Sequence, residues 1–229
     1  TAVNDPDYNI VTEYKMVDDI KASDQQGYHG WYYMYQASGV NKNMEAWNSI
    51  GKGQHGGNFI SVLQFCPEYN TPTVIGWQAP YSGTVTISNN ERLFRLAAYE
   101  NGGDVTAKIL HNSQQLKQND GTDAKWVFAK TDKDGNHDEN YRITGVNVNA
   151  GDWIYHVLDC GVYNGAAALH WQPNITYTAI APRIDGEGTV DKPYIITSAS
   201  DYKLFADIVN SEKPSACARL TSDIAWNSN

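Results

Sequence analysis

Ser23-Asp-Gln-Gln-Gly27-Tyr-His-Gly30-Trp31-Tyr32-Tyr33-Met34-Tyr35 is a polar, glycine-marked turn that runs straight into alternating aromatics. At a period of two residues, Trp31, Tyr33 and Tyr35 fall on one face of a strand, and Tyr32 and Met34 fall on the other. Such a strand is half core and half surface. Rings on its inner face fill an interior, and rings left outside offer apolar area to a sugar.

Outward from this stretch, from about Tyr8 to Ala181, short β-type segments alternate with turn residues, and no long amphipathic helix stands out. Strands are predicted at Gly30–Gln36, Asn58–Gln64, Thr73–Gln78, Thr84–Ser88, Leu93–Tyr99, Val105–Leu110, Lys125–Ala129, Thr144–Val148, Trp153–Leu158 and Ile175–Ile180. Their number and spacing predict an all-β fold over residues 1–181, a jelly-roll-like sandwich of two antiparallel sheets. Ala37–Gly57, His111–Ala124 and Lys130–Arg142 read as long polar loops, where binding residues concentrate. Residues 182–229 read as a small strand–helix–strand appendage. Ser198 and Asp201 form a capping box, Leu204, Phe205, Ile208 and Val209 make one apolar stripe, and Asn210 and Pro214 mark the stop.

The 229 residues carry a net charge of −9, with 19% charged and 12% aromatic residues, the latter dominated by 15 Tyr and 7 Trp. Solubility therefore rests on neutral polar groups, a mixture suited to uncharged, hydroxyl-rich ligands. Without a Lys/Arg cluster there is no cationic surface for a nucleic-acid backbone. No apolar run has membrane-spanning length, and a chain starting at Thr1 reads as a mature or excised fragment. Three scattered cysteines, Cys66, Cys160 and Cys217, do not make a disulfide framework. Neither zinc-ligand spacing nor a phosphate-cradling or serine-nucleophile motif occurs.

Four pieces in order, Gln26-Gly27 with Trp31-x-Tyr33-x-Tyr35, Gly76-Trp77-Gln-Ala-Pro80 through Ile87, Asn149-Ala-Gly151-Asp152-Trp-Ile154 and Trp171-Gln-Pro173-Asn-Ile175-Thr-Tyr177, resemble a β-sandwich domain of large secreted multimodular proteins. Those proteins belong to polysaccharide-degrading gut bacteria. The resemblance implies a carbohydrate-binding or accessory role beside covalently linked modules. Where that pattern often has an acidic residue before the last tryptophan, this chain has Ala166-Ala-Ala-Leu-His170, so no ligand contact there carries over. Gly186-x-Gly188-Thr through Ser198, with Leu220-Thr-x-Asp223-Ile, is similar to the start of a repeat of bacterial cell-surface proteins and implies a secreted or surface location. In composition the chain also resembles starch-adherence proteins of gut bacterial amylosomes, which implies an α-glucan ligand.

Trp31, Trp77 and Trp171 sit in these motifs among apolar neighbours and are expected in the core. The resemblance places Ile154, His156 and Leu158 inward, which sends Trp153 and Tyr155 to the opposite face, about 6.5–7 Å apart along the strand. That ledge is either open to a glycan or covered by the C-terminal unit. Trp126 and Trp47, in or beside polar loops, are the first candidate stacking platforms; the alternative for each is to plug the sandwich. Lys52, Gln54, Asp132 and Asp134 are candidate partners for sugar hydroxyls, and Tyr163 is a further candidate ring.

Asp132-Lys-Asp134-Gly-Asn136-His-Asp138 has oxygen side chains at every second position, as calcium loops do, but lacks the glycine and distal glutamate of the EF-hand. It reads either as a calcium loop or as a solvated acidic turn. No local motif nominates the converging carboxylate pair that glycoside hydrolysis requires. The sequence reading is thus a non-catalytic carbohydrate-binding module; the alternative is a structural spacer or adhesin domain binding a protein or a host glycan.

Overall fold

The computed structural model describes residues 11–23, 25–45, 53–62, 64–96, 103–133, 137–161, 168–181, 184–211 and 213–224. Two compact units divide the chain, Thr1–Ile180 and Ala181–Asn229.

The first unit is an all-β sandwich. One layer is a seven-stranded sheet in the order β11 (Gln114–Gln115), β10 (Val105–His111), β15 (Trp153–Asp159), β7 (Thr73–Gln78), β2 (Trp31–Ala37) and β3 (Val40–Asn43), with β12 (Lys125–Phe128) also on β10. A four-stranded sheet runs β1 (Glu13–Lys15), β17 (Pro173–Ile180), β8 (Gly83–Asn89), β14 (Arg142–Val148). A six-stranded sheet runs β13 (Asp138–Glu139), β9 (Leu93–Arg95), β16 (Leu169–His170), β6 (Phe65–Cys66), β5 (Asn58–Ile60), β4 (Gly53–His55). The last two sheets are linked by one bent ribbon, because β8 leads into β9 and its partner β16 into β17. At the bend Asn90 N–H donates to Gln172 O (2.9 Å) and Gln172 N–H to Asn89 Oδ1 (2.8 Å).

All three sheets contribute to one hydrophobic core. The alternation of the aromatic stretch decides its centre: Trp31, Tyr33 and Tyr35 are buried inward, with Trp31 directly opposite Trp77 in the ladder. Trp31, Trp77 and Trp171 are fully buried, as the sequence predicts. Buried indoles usually pair their N–H, and two of these three do: Trp171 Nε1 donates to the Tyr141 hydroxyl (2.9 Å) and Trp31 Nε1 to Asp19 Oδ2 (2.9 Å). Asp19 comes from a helix the sequence reading lacks, α1 (Met16–Ala22), whose inward residues Met16, Asp19 and Ile20 span barely two turns. Such a segment is too short for helical periodicity to show.

Two of the three long loops expected from polarity contain hairpins. Ser38 and Gly39, both at positive φ (51° and 79°), make the tight turn joining β2 to β3. Asn112 and Ser113 join β10 to β11, with Asn112 at positive φ (53°). The third loop carries β13. Their residues are polar on both faces, so the alternation that betrays a half-buried strand is missing.

The second unit is a strand–helix–strand element in which β18 (Tyr194–Ile196) and β19 (Ala218–Leu220) pair in parallel around α2 (Ala199–Ser211). The capping box closes both ways, with Ser198 N–H on Asp201 Oδ2 (3.0 Å) and Asp201 N–H on Ser198 Oγ (3.1 Å). Burial works to raise the Asp201 pKa, but bonds from Thr197 and Ser198 outweigh it and hold the carboxyl below its ordinary range. Asp201→Ala is expected to cost about 1 kcal/mol of helix stability. Amide hydrogen exchange within α2 should accelerate about fivefold while that of β2 stays unchanged. Among the described residues no helix is long and apolar enough to cross a membrane.

Candidate functional site

Strand β15 alternates as its sequence requires: Ile154, His156 and Leu158 are fully buried, and Trp153, Tyr155 and Val157 point to the outer face of the seven-stranded sheet. Pairing fixes what lies beside them. Tyr155 is opposite Gly76 on one side and Leu110 on the other, and Gly76 is opposite Tyr32; Val157 is opposite Val74, which is opposite Met34. The result is a separate apolar cluster in which Met34, Val74 and Val157 are buried and Tyr32, Trp153, Tyr155 and Leu110 are half-buried around them.

Gly76 makes room for the largest ring. A Cβ there would lie 2.9 Å from Met34 Cε and 3.1 Å from Cε3 and Cζ3 of Trp153, so the indole reaches across a position with no side chain. The Trp153 and Tyr155 rings are parallel (centroids 5.4 Å apart, planes at 8°), and Tyr32 meets Trp153 edge-on at 4.9 Å and 61°. Tyr32 is seated in turn by Gly27, at φ 84°, whose missing Cβ would be 2.9 Å from the Tyr32 hydroxyl. Burial pushes the Tyr155 phenol pKa up, opposed by its hydrogen bond with Asn41. Asn41 Oδ1 also accepts from Gln36 Nε2 (3.2 Å), so side-chain amides border the rings.

The turn before β15 holds Trp153 in place. Asp152 accepts from Asn149 N–H (2.8 Å), from Asn112 Nδ2 (3.0 Å) and from His111 Nε2 (2.9 Å). These bonds, the Asn149 amide first, draw its pKa down to about 2. Asn112, itself at φ 53°, accepts from Trp153 N–H at Oδ1 (2.9 Å) and donates its own N–H to Trp153 O (2.7 Å). Asn112→Gly keeps the left-handed backbone accessible while removing the side-chain bonds. It is expected to cost about 1–2 kcal/mol of stability and to change the near-UV circular dichroism of Trp153.

Trp126, the first sequence candidate, is a correction: it is 6% exposed and stacks on Tyr141 inside the sandwich (4.8 Å, 27°). Strand β12 alternates with Lys125 and Val127 outward, and Ala107, opposite Trp126, leaves space for the indole. Asp132 is occupied as well, accepting from Ala129 N–H (2.7 Å) and His137 Nδ1 (2.9 Å) to close a turn. The Asp132 bond is the main cause of a raised His137 pKa, with Glu139 adding to it. Of the calcium-loop residues, Asp138 pairs with Arg92 (3.3 Å), while Asp134 and Asn136 lie outside the described residues. Among the described residues no three His, Cys, Asp or Glu side chains group as metal ligands would. Trp47, Lys52 and Tyr163 also lie outside the described residues, as does the side chain of Gln54, whose backbone belongs to β4.

The structure therefore brings together Trp153 and Tyr155 from the sequence-derived set and adds Tyr32, Gly76, Asn41 and Asn112. The alternation that set Tyr32 opposite Trp31 was the available signal for one of them. Among the described residues Trp153 is the tryptophan that is not buried.

No protein-family profile matches the chain. It is similar to the lacto-N-biosidase of Bifidobacterium longum subsp. longum, at 29% identity over 181 residues, covering 73% of this chain and 10% of that protein. The chain thus spans about a tenth of the length of that curated relative. Among solved structures, a GH26-CBM35 β-(1,4)-mannanase of Podospora anserina matches 74% of this chain and 32% of its own, at 15% identity and a TM-score of 0.30.

Proposed function

We propose that this chain is a non-catalytic carbohydrate-binding module whose saccharide site is the outer face of Tyr32, Trp153 and Tyr155. One observation carries the reading: a half-buried tryptophan, parallel to a tyrosine and bordered by neutral amides, sits on a sheet face while the other described tryptophans are sealed in the core. Apolar ring surface takes up the C–H face of a pyranose, and amides such as Gln36 and Asn41 exchange bonds with its hydroxyls. Each such bond gains little net, about 0.5–1.5 kcal/mol. A single site is then modest in affinity, and firm attachment to a polymer comes from several sites acting together.

The similarity to part of a lacto-N-biosidase supports a carbohydrate setting, and the tenth of that protein it covers suits one module of a longer chain. The exported, multimodular bacterial parent and the α-glucan ligand belong to the same proposal and rest on the resemblances in the sequence. Affinity electrophoresis against starch, mannan, xylan, mucin and a lacto-N-biose-bearing oligosaccharide conjugate tests it. Retardation by at least one gel, with starch first, is the expected outcome, and no retardation by any would end the reading. Release of reducing sugar above blank would overturn the non-catalytic part alone.

A further inference from the structure

A groove separate from the Trp153 face lies between the hairpin that follows β10 and the edge strand β14. This groove of about 720 Å³ is within the usual size of small-molecule sites, about 300–1,000 Å³. Its floor is apolar, from Leu116, Ile143 and Val146. A bulge in β14 between Ile143 and Val146 opens one wall at Gly145 (φ 71°), where a Cβ would have nothing within 4 Å. The chain has 26 acidic residues against 17 basic, yet the lining contains no carboxylate, and its one lysine, Lys117, is paired with Asp123 outside the lining.

Three lining amides are each tied to the protein at one end. Gln115 Nε2 donates to the carbonyls of Ile109 (2.8 Å) and Ala124 (3.0 Å), and Gln118 Nε2 donates to Thr122 Oγ1 (3.0 Å). Asn147 Oδ1 accepts from Thr84 Oγ1 (3.0 Å). Among the described residues the opposite ends, Gln115 Oε1, Gln118 Oε1 and Asn147 Nδ2, have no partner. One bonded end fixes the plane of each amide, so little side-chain entropy is lost when the other end is used. Two fixed acceptors and one donor suit hydroxyl groups, which donate and accept at once. A phosphate or carboxylate, which offers only acceptors, could use the Asn147 donor but would face the two amide oxygens unpaired.

We propose that this groove is a second saccharide site, for a segment of neutral oligosaccharide, which makes the module bivalent. The inference rests on the carbohydrate-binding reading above and extends it to a different surface. Backbone-amide NMR spectra titrated with maltoheptaose, and in parallel with lacto-N-tetraose, would test it on wild type, Trp153→Ala and a Gln118→Ala/Asn147→Ala double variant. Resonances of Asn119, Thr144 and Gly145 are expected to shift in wild type and in Trp153→Ala alike. In the double variant those shifts should need about tenfold more sugar, since each lost hydrogen bond is worth a few-fold. Shifts at Gly76 and Tyr155 should keep their wild-type midpoint. Shifts confined to the Trp153 face would overturn the groove and leave the module reading standing, whereas spectra unmoved by both sugars, with no retardation in the electrophoresis panel, would remove both.

Discussion

Trp153→Ala is expected to weaken saccharide binding about thirtyfold or more, the effect of truncating an aromatic anchor worth about 2 kcal/mol. The same change should leave the sandwich folded. Trp153 packs in the outer cluster with Met34, Val74 and Val157, apart from the main core, and is already half-buried, so its loss should cost about 1–2 kcal/mol of stability. Trp153→Phe keeps a ring beside Tyr155 and should recover most of the binding. Trp126→Ala supplies the contrast. It empties a buried site and should cost about 3–5 kcal/mol of stability, while the affinity of the molecules that remain folded stays at the wild-type value. Calorimetric titration on folded fractions, with thermal unfolding alongside, separates the two. Equal affinity in wild type and Trp153→Ala would remove the outer face as the site.

The sandwich was legible because inward and outward residues alternate wherever one face of a strand is apolar. Trp31, Tyr33 and Tyr35 buried, with Tyr32 outside, is that rule at work. Alternation also holds in β12 but could not by itself say which face is inward at Trp126, because the strand's facing is set by its pairing with β10 and by the small Ala107 across the ladder, both long-range facts. A tryptophan between two polar loops looks the same in sequence whichever way the strand turns. Gln26 is a further example: its amide accepts from Tyr33 N–H (2.8 Å) and donates to Tyr33 O (2.9 Å) and Met44 O (3.2 Å), bracing the aromatic strand from the preceding turn. The motif containing Gln26 could be quoted from the sequence, but that role needed coordinates. The ledge of Trp153 and Tyr155 was readable as a pair, whereas its support by Gly76 and Asn112 comes from neighbouring strands and turns that only the tertiary fold brings near.

Stability should fall steeply between about pH 6.5 and 4, and His156 should be the principal cause. The ring is fully buried between Trp31 and Trp171 (centroids at 6.4 and 5.4 Å), and among the described residues no side chain bonds either nitrogen. Burial drives its pKa down to about 3, and the backbone of Ile75, its ladder partner, opposes this to a smaller extent. An unfolded histidine titrates near 6.5. Between these values the unfolded chain binds a proton that the folded chain refuses, so stability rises with pH across the window and is lost on acidification, at up to about 1.4 kcal/mol per pH unit. Asp152 adds a loss of the same sign only at lower pH, as its carboxyl is protonated between the ordinary range and about 2. His137 works the other way: its raised pKa gives stability that is present in acid and lost as pH rises through its folded value. His156→Leu removes the buried titratable group and with it a polar ring from apolar surroundings. At pH 7 it should be as stable as wild type or more so, by about 1–2 kcal/mol, and its urea midpoint should stay nearly flat from pH 6.5 to 4 while that of wild type falls. A wild-type midpoint that does not move across this window would show that the core accommodates the charged ring, against the placement of His156 between two indoles.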